Sequence, residues 1–295
     1  MNHHAVSIVP HDAMHADFHA ASELPMSSLT LLWREVYANY PVALPFTEDE
    51  LERFIRMSGI DLSLSRIARV NGQPIGLSFA ARQGDQAWIG GFGVTLQNRF
   101  KGVGLSLMMN QIKLLEAMAV KQIRLEVLLT NRARRMYKRA GFVDRRQLCS
   151  FNSPAVGKGR DTLVQISPEE LPALHKRMHT GGSTATWQKS VECVMRAVER
   201  DQLNVVGLRD ASGVTAYAVE QVRAGHTHLV DIAADSYNAA EDIVVALASR
   251  NNGRHISLGD EPANSHISKV LKRFGAAPRS MRMEMAYIGR QMSKL

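Results

Sequence analysis

Arg99-Phe100-Lys101-Gly102-Val103-Gly104 places two cations and two glycines where a strand-like run breaks and a helix-like one begins. Glycine lets backbone amides approach a ligand closely. A helix start adds unpaired N–H groups and the positive end of the helix dipole. Together they describe a cradle for an anion, and they suit a pyrophosphate. The pattern is neither GxxxxGK[ST] nor GxGxxG, and a purely structural glycine turn is the alternative. Just upstream, Gly90, Gly91 and Gly93 stand inside a strand, where glycine marks a bulge or a close backbone approach. A strand weakened there can part from its neighbour and offer N–H and C=O groups to an extended ligand arm. A phosphorylated head with an amide-bearing tail is the shape of coenzyme A.

The stretch GVTLQNRFKGVGLSLMM resembles the acyl-CoA-binding motif [RQ]xxGx[GA] of the GNAT superfamily of N-acetyltransferases, with Arg99, Gly102 and Gly104 on its fixed positions. RLEVLLTNRARRMYKRAGF resembles the strand and helix that follow in that family. The resemblance spans roughly residues 5 to 150. It departs at Phe100, where the family commonly has glycine. The interval from Asn131 to Tyr137 is also one residue short. Anchored from the strand, Asn131 takes the family's Asn place; anchored from Tyr137, Thr130 does, and Asn131 is preferred.

The resemblance implies direct attack of a primary amine on the thioester of acetyl-CoA. It assigns cofactor contacts to Phe92, Gly93, Val94, Arg99, Phe100, Lys101, Gly102, Val103, Gly104, Leu105, Asn131 and Tyr137. The N–H near Val94 would polarise the thioester carbonyl, and Tyr137 would protonate the departing thiolate. An amine must also lose a proton, and Glu126, in an apolar strand, is the candidate base; a solvent-facing or ion-paired carboxylate is the alternative. Trp33, Tyr37 and Tyr40 could line an acceptor pocket or equally be core. The acidic residues of TEDELE could attract a cationic amine or serve as ordinary helix N-terminal charges.

These residues need elements to hold them. Leu29, Leu32, Trp33 and Val36 have helical spacing, with Ser27 or Ser28 as N-cap candidate. Thr47 with Glu50 reads as a capping box. Strand-like runs flank Asn71-Gly72 and follow Gly84-Asp85. Leu105, Met108, Met109, Ile112, Leu115 and Ala119 predict one face of a long helix. QIRLEVLL then reads as a strand and NRARRMYKRA as a helix closed by Gly141. The order predicts a mixed, mostly antiparallel α/β sheet flanked by helices.

SFNSPAVGKGR is the linker candidate, dividing a catalytic unit at residues 1–152 from a second unit at 160–295. A similar order recurs beyond it. RRMYKRAGF corresponds to SKVLKRFGA and IGGFGV to LVDIAA, a weak repeat of about 135 to 140 residues. Unrelated halves of similar topology are the alternative to duplication. The second half lacks RxxGx[GA], carries acidic Asp231, Asp235, Glu241 and Asp242 that would repel a pyrophosphate, and has Val270-Leu271 in place of Met136-Tyr137. It reads as a degenerate GNAT-like copy that completes the acceptor pocket or mimics a dimer partner.

The bulk properties fit this reading. The chain has 295 residues, a net charge of +8 and two distant cysteines, Cys149 and Cys193. No disulfide framework, zinc spacing, signal peptide or membrane span is apparent, so a reduced, cytoplasmic protein with no metal is expected. The histidines of MNHHAVSIVPHDAMHADF read as a solvated start. The basic run from Arg132 to Arg146 would suit a phosphate-rich ligand or a solvated helix face. No nucleic-acid-binding motif accompanies it, so nucleic acid is the less favoured partner. A non-catalytic acyl-CoA sensor is the leading alternative to the enzyme. The acceptor would be a small-molecule or peptide amine, and the protein a monomer or homodimer.

Overall fold

The computed structural model describes residues 15–38, 40, 47–154, 160–223, 225–251 and 254–289. The histidines of residues 1–14, Pro45-Phe46 and the AVGKG portion of the linker lie outside them. The first half runs β1 (Asp17–Ala20), α1 (Met26–Tyr37), α2 (Glu48–Ser58), β2 (Arg66–Val70), β3 (Gln73–Gln83), β4 (Gln86–Val94), α3 (Val103–Ala117), β5 (Gln122–Leu128), α4 (Ala133–Arg139) and β6 (Val143–Pro154). The second half repeats it: β7 (Val164–Gln165), α5 (Leu171–Met178), α6 (Val191–Asp201), β8 (Asn204–Asp210), β9 (Gly213–Arg223), β10 (His226–Ala234), α7 (Tyr237–Asn251), β11 (His255–Pro262), α8 (His266–Arg273) and β12 (Pro278–Ile288). The recurrence anticipated from RRMYKRAGF and SKVLKRFGA is therefore a repeat of the whole element order, with those segments at α4 and α8.

Local chemistry explains most boundaries. Thr47 accepts from the Glu50 amide while Glu50 accepts from the Thr47 amide, and Gly59 ends α2 with φ +68°. Asn71 and Gly72 turn with φ +50° and +76°, the conformation a two-residue hairpin requires. Three expectations need correcting. The residue capping α1 is Pro25, not Ser27 or Ser28, because Pro presets the entering backbone. The buried face of α3 includes Val103, Leu107 and Gln111 while Met109 is exposed; the Gln111 amide donates to the Leu64 carbonyl at 2.8 Å, which offsets burying it. Ser150 to Pro154 of the linker candidate is strand, not loop, because it pairs with β11.

All twelve strands form one sheet in the order β1-β2-β3-β4-β5-β12-β6-β11-β10-β9-β8-β7. Each half thus hands its last strand across: β12 lies between β5 and β6, and β6 lies between β12 and β11. Among the described residues, only β4–β5 and β10–β11 are parallel. The exchanged strands carry side chains into the opposite core. Cys149 and Phe151 of β6 pack with Ile243, Leu247 and Val270 of the second half. Met283 and Met285 of β12 pack with Met108, Ile112 and Phe142 of the first. The halves also meet through Trp88 and Trp187, stacked with centroids 6.0 Å apart. The Trp187 indole N–H donates to the Ser58 carbonyl at 2.9 Å, and Arg53 pairs with Asp201.

Removal of β12 by ending the chain at Ala277 should abolish cooperative unfolding of the first half, as read by circular dichroism. Met285→Ala, at a site with no exposure, should cost about 3 kcal/mol in chemical denaturation. A truncated chain with wild-type unfolding would show the exchanged strand to be dispensable.

Candidate active site

β4 and β5 pair only where Gln86–Trp88 faces Gln122–Arg124, and beyond that they part. The cause lies in β4. Phe79 pairs with Gly91 and Ala80 with Ile89, so Gly90 is an extra residue and bulges the strand. The glycines also admit bulky neighbours: a Cβ on Gly91 would come within 2.5 Å of Trp33, and one on Gly93 within 2.3 Å of Val36. The splaying expected from these glycines is present, and the Trp33 ring and the Val36 side chain fill the room left at Gly91 and Gly93.

The split exposes specific backbone groups. The Thr95 N–H donates to the Ile75 carbonyl at 2.8 Å. Alternation along an antiparallel ladder then turns the amides of Phe92 and Val94 away from β3 and into the gap. Tyr37 is consistent with that direction, since its hydroxyl accepts from the Phe92 N–H at 3.0 Å and donates to the Phe92 carbonyl at 3.3 Å.

The glycine loop sits at the end of this gap. Gly102 precedes α3 with φ +84°. Ser106 is the first residue to bond back, to the Gly102 carbonyl at 3.1 Å, so the amides of Val103, Gly104 and Leu105 stand at the helix start without intrahelical partners. Phe100 has φ +65° and is 96% exposed. A left-handed backbone at this position suits glycine, and a Phe there costs about 1 kcal/mol. Lys101 is exposed at the loop. The Arg99 guanidinium instead donates to the carbonyls of Val94 at 3.0 Å and Val36 at 2.7 Å. It fastens the loop to β4 and α1 rather than projecting its charge from the loop.

A cavity of about 170 Å³ lies in the split. Trp33, Tyr37, Tyr40, Phe54, Trp88, Phe92 and Tyr137 wall it, with Glu126 and Asn131 among its polar groups. Trp33, Tyr37 and Tyr40 thus line a cavity, although Trp33 is also packed in the core. Glu126 is half-buried, with its Oε1 shut off from solvent, so its carboxylate does not face open water. Its Oε2 accepts from the Trp88 indole N–H at 2.6 Å, and its Oε1 has no hydrogen-bond partner. Burial pushes this carboxyl up to about 8; the nearby Asp260 charge adds to the shift, and the Trp88 hydrogen bond opposes it. Burial likewise raises the Tyr137 phenol above its usual range, so it keeps its proton at neutral pH. Asn131 accepts from the Ala133 N–H at 2.9 Å and so starts α4.

Two wall residues come from the other half and were not singled out in the sequence. Arg282 of β12 is ion-paired to Asp260 at 2.6 Å, and Gln188 presents a buried, unpartnered Oε1. No local signal marks them, since both reach the site by tertiary placement. In the second half, Asp235 and Ser236 lead directly into α7 with no glycine loop. Asp231 does not stand at a loop mouth to repel phosphate, because it is fully buried. Part of the basic run is consumed internally: Arg134 and Lys138 pair with Asp144, and Arg146 with Glu284. Cys149 and Cys193 are free and buried. No helix among the described residues is long and apolar enough to cross a membrane.

Residues 29–142 match the acetyltransferase (GNAT) family. The whole chain has the fold of tandem GNAT proteins. A tandem GNAT protein from the clavulanic acid biosynthesis pathway is 12% identical, with a TM-score of 0.64 over 93% of this chain and 98% of that one. A GCN5-related N-acetyltransferase from Sphaerobacter thermophilus is 12% identical, with a TM-score of 0.65 over 94% and 96%. Another from Anabaena variabilis is 14% identical, with a TM-score of 0.62 over 93% and 73%. No curated protein matches the chain.

Glu126 makes stability depend on pH. Below its ordinary value of 4.5, folded and unfolded chains both hold the proton. Above that value the unfolded chain releases it first, so the folded state loses stability until pH passes about 8. Wild type should lose on the order of 3–5 kcal/mol more than Glu126→Gln across this window, measured as denaturation midpoints against pH. Parallel profiles for the two proteins would contradict the assignment.

Proposed function

We infer that the protein is an acetyl-CoA-dependent N-acetyltransferase that moves the acetyl group to a primary amine by direct attack. The observation that carries this reading is the split between β4 and β5, with the Val94 amide directed into it and the unpaired amides of α3 at its end. An amide-bearing arm fits along the parted strand edge, and a pyrophosphate fits at the helix start. Val103, Gly104 and Leu105 would hold the phosphates by their N–H groups, with Lys101 adding charge. Gly93 lets the strand run close to α1 so that the Val94 N–H keeps its direction.

Bound acetyl-CoA would supply an activated thioester. The Val94 N–H would donate to its carbonyl oxygen as a fixed dipole. Glu126 would take the amine proton on its unpartnered Oε1, directly or through water, and Tyr137 would give its hydroxyl proton to the departing sulfur. The Phe92 amide serves a ligand only if the Tyr37 hydroxyl moves aside. The catalytic unit is residues 1–152. Residues 160–295 form the degenerate copy, which completes the acceptor cavity with Gln188 and Arg282. The acceptor is a small-molecule or peptide amine whose cation the aromatic walls and Glu126 can receive.

Calorimetric titration with acetyl-CoA should show one site per chain, lost in Gly104→Trp and kept in Tyr137→Phe. With a competent amine, Tyr137→Phe should lower kcat about 100-fold or more. The wild-type kcat/KM should rise with pH through about 8, a rise that Glu126→Gln abolishes. Two acetyl-CoA sites would refute the degenerate second half. No binding at about 1 mM would end the enzyme reading, and binding without thiol release for any amine would favour the sensor.

A further inference from the structure

The second half has its own bulge and its own split. β10 leaves β11 after Leu229 faces Leu258, and Val230 is the extra residue of β10. It stands 140 residues after Gly90, the extra residue of β4. Over the first bulge, α1 sets the rings of Trp33 and Tyr37 one helical turn apart, with centroids at 4.5 Å. Over the second, α5 carries His175 and, at its C-cap, His179, with the same spacing and centroids at 4.3 Å. Gly91, after the first bulge, is matched by Asp231 after the second. Three positions that shape an apolar cavity in one half hold two imidazoles and a carboxylate in the other.

The hydrogen bonds fix which atoms face inward. The His175 Nε2 lies 2.7 Å from the Lys189 carbonyl, and the His179 Nδ1 lies 2.9 Å from the Ser183 carbonyl. A carbonyl oxygen only accepts, so each of these nitrogens carries a proton and donates it. The opposite nitrogens, Nδ1 of His175 and Nε2 of His179, are then the ones available as donors to a ligand. A backbone carbonyl behind each imidazole is the arrangement that orients metal-binding histidines. The His179 Nε2 lies 3.0 Å from the Asp231 Oδ2, which already accepts from the Tyr217 hydroxyl at 2.7 Å. The Asp231 Oδ1 is buried with no partner at all. One ligand atom from each of His175, His179 and Asp231 lies within 4.8 Å of the others. A lone pair facing a carboxylate at this distance needs a positive charge between them, either a proton or a metal ion.

We propose that His175, His179 and Asp231 form a binding site for a divalent first-row transition ion of the zinc class, tying α5 to β10. Two donor atoms about 2.1 Å from a tetrahedral ion stand about 3.4 Å apart, close to the 3.0 Å between the His179 and Asp231 atoms, and the third donor, within 4.8 Å of them, would draw in on binding. Two imidazoles and one carboxylate suit zinc, nickel or ferrous iron rather than calcium or magnesium. Lys189, whose carbonyl orients His175, has its ammonium paired with Glu261, so its charge is balanced beside the site. The three side chains are nearly shut off from solvent, and the role of the site is structural: the ion fastens the second half where the first half keeps an open cavity. Binding replaces any proton on the His179 Nε2, which leaves to solvent.

The test uses the full chain, stripped with a chelator and dialysed, and zinc ion alone. Calorimetry should show one equivalent bound at micromolar affinity or tighter, with Asp231→Asn and His175→Gln each at least about 100-fold weaker. Zinc should raise the unfolding temperature of wild type and leave that of Asp231→Asn unmoved. Cobalt ion added to the stripped wild type should give visible absorption stronger than aqueous cobalt, and a chain carrying His3→Ala and His4→Ala should keep that absorption; its loss there would overturn the proposal even where a variant at the site fails to fold. Absence of zinc uptake by folded wild type would assign the site to a proton and overturn the proposal. Uptake unchanged in both variants would overturn it equally, because His3 and His4 could then account for the metal.

Discussion

The exchange of β6 and β12 is the constraint on which the rest of the molecule rests. Each strand pairs with the other at the centre of the sheet and with an interior strand of the opposite half. Each also places apolar side chains beneath helices it does not adjoin in sequence. Each half's core is therefore completed by a strand of the other. The exchange also sets the chemistry. Glu284 of β12 stands directly opposite Glu126 of β5, and antiparallel partners face the same side. Arg146 of β6 neutralises Glu284, while burial, Asp260 and Glu284 all hold the Glu126 proton in place.

The cavity follows from a second constraint, the bulge at Gly90. A parallel pair that stayed joined would leave no room between β4 and β5 and no inward amide at Val94. The bulge bends β4 away, the glycines admit Trp33 and Val36 against its backbone, and the seam is finished by Gln188 and Arg282. Here the second half acts as a wall as well as a scaffold.

The duplicated bulge shows one backbone device with two outcomes. With glycine and aromatic rings around it, the split remains a cavity with a single buried carboxyl. With histidines and an aspartate around it, the split closes on a polar knot of His179, Asp231 and Tyr217. Buried polar groups of that kind are stable only when each finds a partner, which is why the unpartnered Asp231 Oδ1 stands out.

The sequence by itself determined what depends on neighbours along the chain. The Thr47 capping box, the Asn71-Gly72 turn, the glycine start of α3, the glycine-weakened β4 and the shared order of the halves were all legible, because each is set by local backbone preference or periodicity. Tyr137 and Glu126 were readable as candidates by type and position. The sequence did not show β12 as a strand of the first half, the wall formed by Arg282 and Gln188, the strut made by Arg99, or the meeting of His175 and His179 with Asp231 across fifty-odd residues of chain. Those contacts arise only when distant segments pack. Whether Glu126 is solvated or buried, and so whether its proton leaves near its ordinary value or near 8, depends on the water the folded sheet excludes.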